Sequence, residues 1–291
     1  MSSAFLQYLF SGMTVGAIYA LAGLGFSIIY NASHVINFAQ GEFIMIGAMA
    51  TVSLVGLGVP LILAILLAIA ATVAVGLAVA RFAVAPARGA PVVTLIIITI
   101  GASIFLRGVA QVLWGKSFHS LPSFSGDTPF VIGGATLLPQ SLWVLATTLA
   151  IIAGLAWFFG HTLYGKAMLA TSCNRLAAQL VGIKVSGVLL AAFALAALLG
   201  AAGGIVIAPI TFTSADAGIM LGLKGFTAAV LGGLGNGVGA ILGGLLVGIA
   251  EAMGAGYLSS AYKDAIAFVI ILLVLFFLPN GLLGRPGTER V

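Results

Sequence analysis

The side chains best suited to chemistry crowd into one stretch, Ser33-His-Val-Ile-Asn-Phe-Ala-Gln-Gly-Glu-Phe43, inside an N-terminal region that is otherwise apolar. If the stretch is helical, His34, Asn37, Gly41 and Met45 share one stripe, with Asn31, Gln40 and Glu42 flanking it. A charged side chain at the centre of a bilayer costs about 3 kcal/mol on the insertion scale, so such residues face a cavity or a partner helix and not lipid. Two roles fit: the seam lines a path for a small polar solute, or it staples an unwound backbone by hydrogen bonds. Glu251, alone in an apolar run, poses the same choice between solute contact and an interhelical hydrogen bond. Lys224 either reaches a pathway or snorkels to the membrane surface. With Asn236, these make the pathway candidates Asn31, His34, Asn37, Gln40, Glu42, Lys224, Asn236 and Glu251.

Other patterns are weaker. Gly160-His-Thr-Leu-Tyr-Gly-Lys166 matches G-x-x-x-x-G-K, but Ala167 stands where a Ser or Thr should meet magnesium, and no strand precedes it. Gly235-Asn-Gly-Val-Gly-Ala240 lacks the strand and soluble βαβ unit of a dinucleotide site. His34, His119 and His161 are too scattered for a zinc site, and no Ser-His-Asp set or carboxylate pair suggests catalysis. No enzymatic role, metal or cofactor of the chain's own is therefore expected. A single cysteine, Cys173, rules out an intramolecular disulfide framework.

The elements that must position these residues are membrane helices. Of 291 residues, 62% are hydrophobic and 6% charged, which excludes the soluble globular classes. Apolar runs of the roughly 20 residues that a spanning helix needs recur along the chain, without the alternation of a barrel strand. The fold class expected is all-α, a polytopic transmembrane bundle of 8–9 spans over one domain, 1–291. The spans fall near 5–30, 41–58, 60–82, 92–113, 141–160, 187–209, a short 219–235, 237–256 and 262–279. The first run has no basic n-region or A-x-A site, so it is expected to stay as a helix.

A net charge of +5 spread this thinly reports orientation and not nucleic-acid binding. Arg81, Arg88, Lys166, Arg175, Lys184, Arg285 and Arg290 mark the cytoplasmic side, against Lys116 and Lys263 outside. That makes 114–140 an external loop, 161–186 a cytoplasmic loop and 280–291 a cytoplasmic tail. The charge-free first 30 residues leave the side of the N-terminus to counting, and 219–235 either crosses or re-enters.

Gly12-xxx-Gly16, Gly200-xxx-Gly204, Gly239-xxx-Gly243 and Gly244-xxx-Gly248 read as close helix packing. The runs from Gly23 to Gly47 and from Gly218 to Gly239 look interrupted and lie in opposite halves, the pattern of pseudo-repeat halves around a transport pathway. The cytoplasmic loop differs in kind. Gly165 to Val181 reads as one short amphipathic helix carrying Met168, Leu169, Leu176, Leu180 and Val181, fit for a groove on a cytosolic partner or for the membrane surface.

Taken with "GLGFSIIYNASHVINFAQGEFIMIGA", "NRLAAQLVGIKVSGV", "GLKGFTAAVLGGLGNGVGAILGGLLVGIAEA" and "YKDAIAFVIILLVLFFLPNGLLGR", the chain resembles the permeases of branched-chain amino-acid ABC importers, LivH type, over nearly its whole length. The resemblance implies a bacterial inner-membrane subunit working with a second, LivM-like permease, two cytosolic ATPases that hold ATP and magnesium, and a periplasmic solute-binding protein. It also implies that Ala177, Ala178 and Gly182 form the core of an ATPase-coupling loop, to which Lys166, Asn174 and Arg175 are added. Leu176 replaces an acid usual there, and Gln40 replaces a histidine common in N-F-A-H-G-E. Relatives carry other amino acids, urea, short amides or aromatic acids. The residues alone also admit an ion- or proton-coupled secondary transporter or channel, with Glu42 and Glu251 as relays.

Overall fold

The computed structural model describes residues 3–87 and 89–284, so Arg88, Arg285, Arg290 and most of the expected tail lie outside the described residues. Eleven helices and one small hairpin form its ordered elements: α1 (Ser3–Ser33), α2 (Gln40–Gly56), α3 (Leu61–Ala78), α4 (Val92–Trp114), β1 (Phe130–Ile132), β2 (Ala135–Leu137), α5 (Pro139–His161), α6 (Leu163–Cys173), α7 (Arg175–Leu180), α8 (Val185–Ile207), α9 (Ala217–Gly232), α10 (Gly237–Tyr257) and α11 (Lys263–Phe277). The sequence punctuates most of these. Pro60 and Pro91 precede α3 and α4, Pro139 opens α5, and Thr162, Asn174 and Asn236 cap α6, α7 and α10 with side-chain oxygens. Beyond α3 the coil loosens into a π-helical turn over Val79–Val84 that carries exposed Arg81.

Among the described residues, seven helices are long and apolar enough to cross a bilayer. The eight or nine crossings expected from hydropathy slightly exceed that number. The difference is α2 and α9, isolated helices of 17 and 16 residues that at about 1.5 Å per residue fall short of a ~30 Å hydrocarbon layer, whereas α11, 15 residues by itself, is continuous with the helical turn Ser260–Tyr262 and reaches 18. Both α2 and α9 start inside the bundle. The class is all-α, with the β1–β2 hairpin turning on Gly133 and Gly134, both at positive φ, where only glycine sits without strain.

Helices α1 and α8 form the centre, whereas α4, α5 and α11 keep most of their apolar surface outward, as lipid permits. Close packing in lipid relies on small residues. Accordingly Gly12 and Gly16 of α1 abut Gly248 and Gly244 of α10, Gly200 and Gly204 of α8 meet Phe43 and Ile44, and Gly239 and Gly243 meet Gly232 and Ala228. One end of the bundle carries 115–138, with the start of α1 beside it through a Gln7 bond to the Thr136 carbonyl (3.1 Å). The other end carries α6 and α7.

Candidate functional site

The opening polar stretch does not form the helical stripe drawn from its spacing. Helix α1 ends at Ser33, His34 takes φ +55°, and the chain stays non-helical until α2 begins at Gln40. His34 is left exposed at the α6–α7 end, edge-on to Tyr30. Asn31 instead donates to the Gly235 carbonyl (2.7 Å), and Asn236 caps α10 while donating to the Leu283 carbonyl (2.7 Å). These two asparagines belong together, lining an apolar cavity of about 330 Å³ with α5 and α6.

Asn37, Gln40 and Glu42 go the other way, into the bundle, each at most 1% exposed. Gln40 donates to the carbonyl of Ala196 (3.0 Å), the twelfth of the 23 residues of α8. Glu42 accepts from Ser103 (2.8 Å), the twelfth of the 23 residues of α4. Helix α2 therefore starts at mid-depth. So does α9: Gly41 and Gly218, each the second residue of its helix, touch so closely that a methyl on Gly41 would overlap the Gly218 carbonyl. From this meeting point α2 runs to the 115–138 end, where Ala48 packs with Leu121, and α9 runs to the opposite end, where Gly232 meets Gly239. Two half-helices thus aim their N-terminal dipoles at one mid-depth point, an arrangement able to receive a polar solute.

The non-helical link is held by Thr99, which accepts from the Phe38 amide (3.3 Å) and donates to the Ile36 carbonyl (3.2 Å), and by Asn37, which accepts from the Ala39 amide (3.2 Å). Stapling is thus part of what the stretch does. It does not use every group: Asn37 Nδ2, Gln40 Oε1 and Glu42 Oε2 are buried without a hydrogen-bond partner.

Helix α4 supplies residues that sequence reasoning passed over. Thr99, Ser103, Arg107 and Gln111 recur every fourth residue and so make one polar stripe. Gln111 donates to Asp216 (2.9 Å) just before α9, and Ser103 and Arg107 line a cavity of about 190 Å³ with Phe38, Glu42, Gly218 and Gly222. The four-residue period within a hydrophobic span was the available signal.

Lys224 and Glu251 form a second centre, on the α1 side of α9. Lys224 lies 2.9 Å from Glu251 and 2.6 Å from Asp264, and Lys263 approaches Glu251 to 3.4 Å. Tyr19 donates to Glu251 (2.9 Å) and lays its ring under the Lys224 ammonium at 5.6 Å. Lys224 is only 4% exposed, so its snorkelling role is overturned: at the depth of Tyr19 its ammonium reaches buried Glu251 sooner than water. Asp264 and Lys263 were not expected here because they follow a helical turn, Ser260–Tyr262, that folds α11 back.

In the 161–186 loop the single helix expected over Gly165–Val181 is two. Asn174 leaves the helical conformation and accepts from the Ala177 amide (3.0 Å), ending α6 and capping α7. Ala178 packs inward, Ala177 stays exposed and Gly182 turns the chain at φ +89°. Leu176, Leu180 and Val181 stand 73%, 89% and 77% exposed, while Lys166 is exposed and Met168 buried. Arg175 reaches back to a crevice shared with Ser33, Val35 and Leu95, beside the break that precedes α2. Gly160 to Lys166 is the α5–α6 corner.

The family described as "Branched-chain amino acid transport system / permease component" matches residues 8–275. The high-affinity branched-chain amino acid transport system permease protein LivH of Escherichia coli (strain K12) is 35% identical over 305 aligned residues, covering 99% of this chain and 98% of LivH. The corresponding permease protein BraD of Pseudomonas aeruginosa is 35% identical over 302, again covering 99% and 98%. Among solved structures, PsaBC from Streptococcus pneumoniae in complex with Fab is similar with a TM-score of 0.53 and 15% identity, covering 95% of this chain and 92% of that one, a likeness of fold.

Proposed function

The chain belongs to the branched-chain amino acid transport permease family, and from that premise we infer that its two half-helices and the polar stripe of α4 line the conduit of an importer for branched-chain or other hydrophobic amino acids, or for a related small polar solute. It is a permease subunit of an ABC importer, seated in the bacterial inner membrane. The observation that carries the conduit is the meeting of α2 and α9 at mid-depth, beside buried polar groups without partners. Lipid offers no reason to keep unpaired groups there; a passing solute does.

The chain itself catalyses nothing and needs no cofactor; two cytosolic ATPases hold ATP and magnesium, and a periplasmic binding protein delivers solute. The 161–186 segment faces the cytoplasm and 114–140 faces outward, which puts the start of α1 outside. Exposed Leu176, Leu180 and Val181 are the apolar anchors for a groove on an ATPase, with Lys166 and Arg175 at the rim. Arg175 touches the crevice beside the α1–α2 break, so movement of α7 has a short route to the half-helices. A second, LivM-like permease covers the open side of the α4 stripe, since Arg107 against lipid would cost about 3 kcal/mol.

The proton- or ion-coupled rival draws less support, because Glu251, which lines a cavity of about 340 Å³ with Tyr8 and Lys263, is already bound by Lys224 and Tyr19. Leu176→Asp with Leu180→Asp tests the coupling reading. Both side chains are exposed, so folding is spared, and ATP hydrolysis should no longer rise with import in proteoliposomes holding the full complex. Hydrolysis that still keeps step with import would remove the docking role. Uptake by this chain alone, driven by a pH gradient, would favour the rival.

A further inference from the structure

The mid-depth cavity between α2, α4 and α9 has walls of two kinds. Glu42 and Arg107 supply a carboxylate and a guanidinium, Ser103 a hydroxyl, and Phe38, Ile100, Ile104, Ile219 and Leu223 an aliphatic and aromatic surface. Its volume of about 190 Å³ equals roughly six waters at ~30 Å³ each, the scale of a small metabolite. Glu42 is 1% exposed and its Oε2 has no partner. Arg107 has no carboxylate within 4 Å among the described residues, although it shares the cavity with Glu42. Opposite charges held apart across an apolar-walled space are open to a ligand that brings both complementary charges.

The site also differs from the Lys224 centre. There every charge is already matched within the protein, at 2.6 to 3.4 Å, and leaves little for a ligand to satisfy. Around Glu42 the α9 terminus adds a positive dipole end at Gly218, and Glu42 Oε2 faces that same glycine.

We propose that this cavity binds a zwitterionic α-amino acid with an aliphatic side chain during passage: Arg107 and the α9 N-terminus take the carboxylate, Glu42 takes the ammonium, and Ile100, Ile104, Ile219 and Leu223 contact the side chain. Arg107 is thereby a substrate-contacting residue of the permease itself, so selection does not end with the binding protein. The assignment rests on the importer reading above.

The test uses the whole importer complex in lipid nanodiscs with the reporter Ile104→Cys, in a Cys173→Ala background that removes the chain's only native thiol. Leucine should slow modification of the reporter by a membrane-permeant maleimide. 3-Methylbutylamine, lacking the carboxylate, and 4-methylpentanoate, lacking the ammonium, should not. Arg107→Gln should raise the leucine concentration needed for protection at least about tenfold, the effect of losing one charge-assisted bond, and Arg107→Lys should recover part of it. Should Arg107→Gln fail to copurify with the ATPases, Arg107→Lys and Glu42→Gln carry the comparison. Equal protection by all three compounds, no protection by leucine, or protection indifferent to Arg107 and Glu42 would overturn the site. ATP-driven leucine import that persists in that case leaves the importer reading standing, whereas import of no amino acid by the unmodified complex removes that reading instead.

Discussion

Breaking the Lys224–Glu251 pair offers a quantitative check on the packing of α1, α9 and α10. Removing one partner of a buried pair costs about 3–5 kcal/mol, because a charge is left behind without water. Glu251→Leu strands Lys224 with Asp264 alone, whose side chain is 53% exposed, and also takes the acceptor from Tyr19. About 4 kcal/mol is expected. Lys224→Met is milder, near 3 kcal/mol, because Glu251 keeps Tyr19 and the half-exposed Lys263. Independent losses would sum to about 7 kcal/mol in the double variant, but that variant holds no stranded buried charge, and its cost should be about 2 kcal/mol or less. Lys263 and Asp264 simply return to water. The coupling is read from reversible unfolding of the four purified proteins in mixed detergent micelles titrated with SDS. A double variant as unstable as the sum of the singles would refute the reasoning and leave the pair as two unrelated contacts.

Two further outcomes are expected from the mid-depth contact. Gly41→Val drives a side chain into the Gly218 carbonyl and should cost about 1–3 kcal/mol of overpacking together with import, while Gly108→Val, with no atom within 4 Å of the new Cβ, should leave both intact; equal behaviour of the two in proteoliposome uptake would dissolve the half-helix contact as a functional element. Gln40→His replaces a side chain that ties α2 to the middle of α8 through Ala196, so selectivity or rate should change, and identical uptake across a panel of amino acids, urea and amides would exclude a role for that position.

Sequence patterns reached far into this protein where free energy is local. A cluster of polar residues at 31–42, an interrupted Gly-rich run from Gly218 to Gly239 and an amphipathic segment before α8 were legible as features, though not the single helical stripe or the single helix drawn from them, since each follows from what single residues tolerate in oil or at a helix end. Depth was not legible. That Asn37, Gln40 and Glu42 point into the bundle while His34 is left exposed depends on the chain leaving the helix at His34 and climbing to the midpoint of α8. The same limit hid Lys224: its neighbours Glu251 and Asp264 lie 27 and 40 residues away, a distance no local pattern measures. Arg107 was readable in its fourfold stripe, yet its significance came only when α4 was set against α2.

Composition and hydropathy by themselves determined an all-α membrane bundle, because a backbone in hydrocarbon must satisfy its own hydrogen bonds and helices do so residue by residue. Tertiary structure alone decided that α2 and α9 stop halfway and meet, and that one charge cluster is closed while the other stays open. Those outcomes turn on distances between segments remote in the chain, fixed by glycine-to-glycine contact and by pairing across helices.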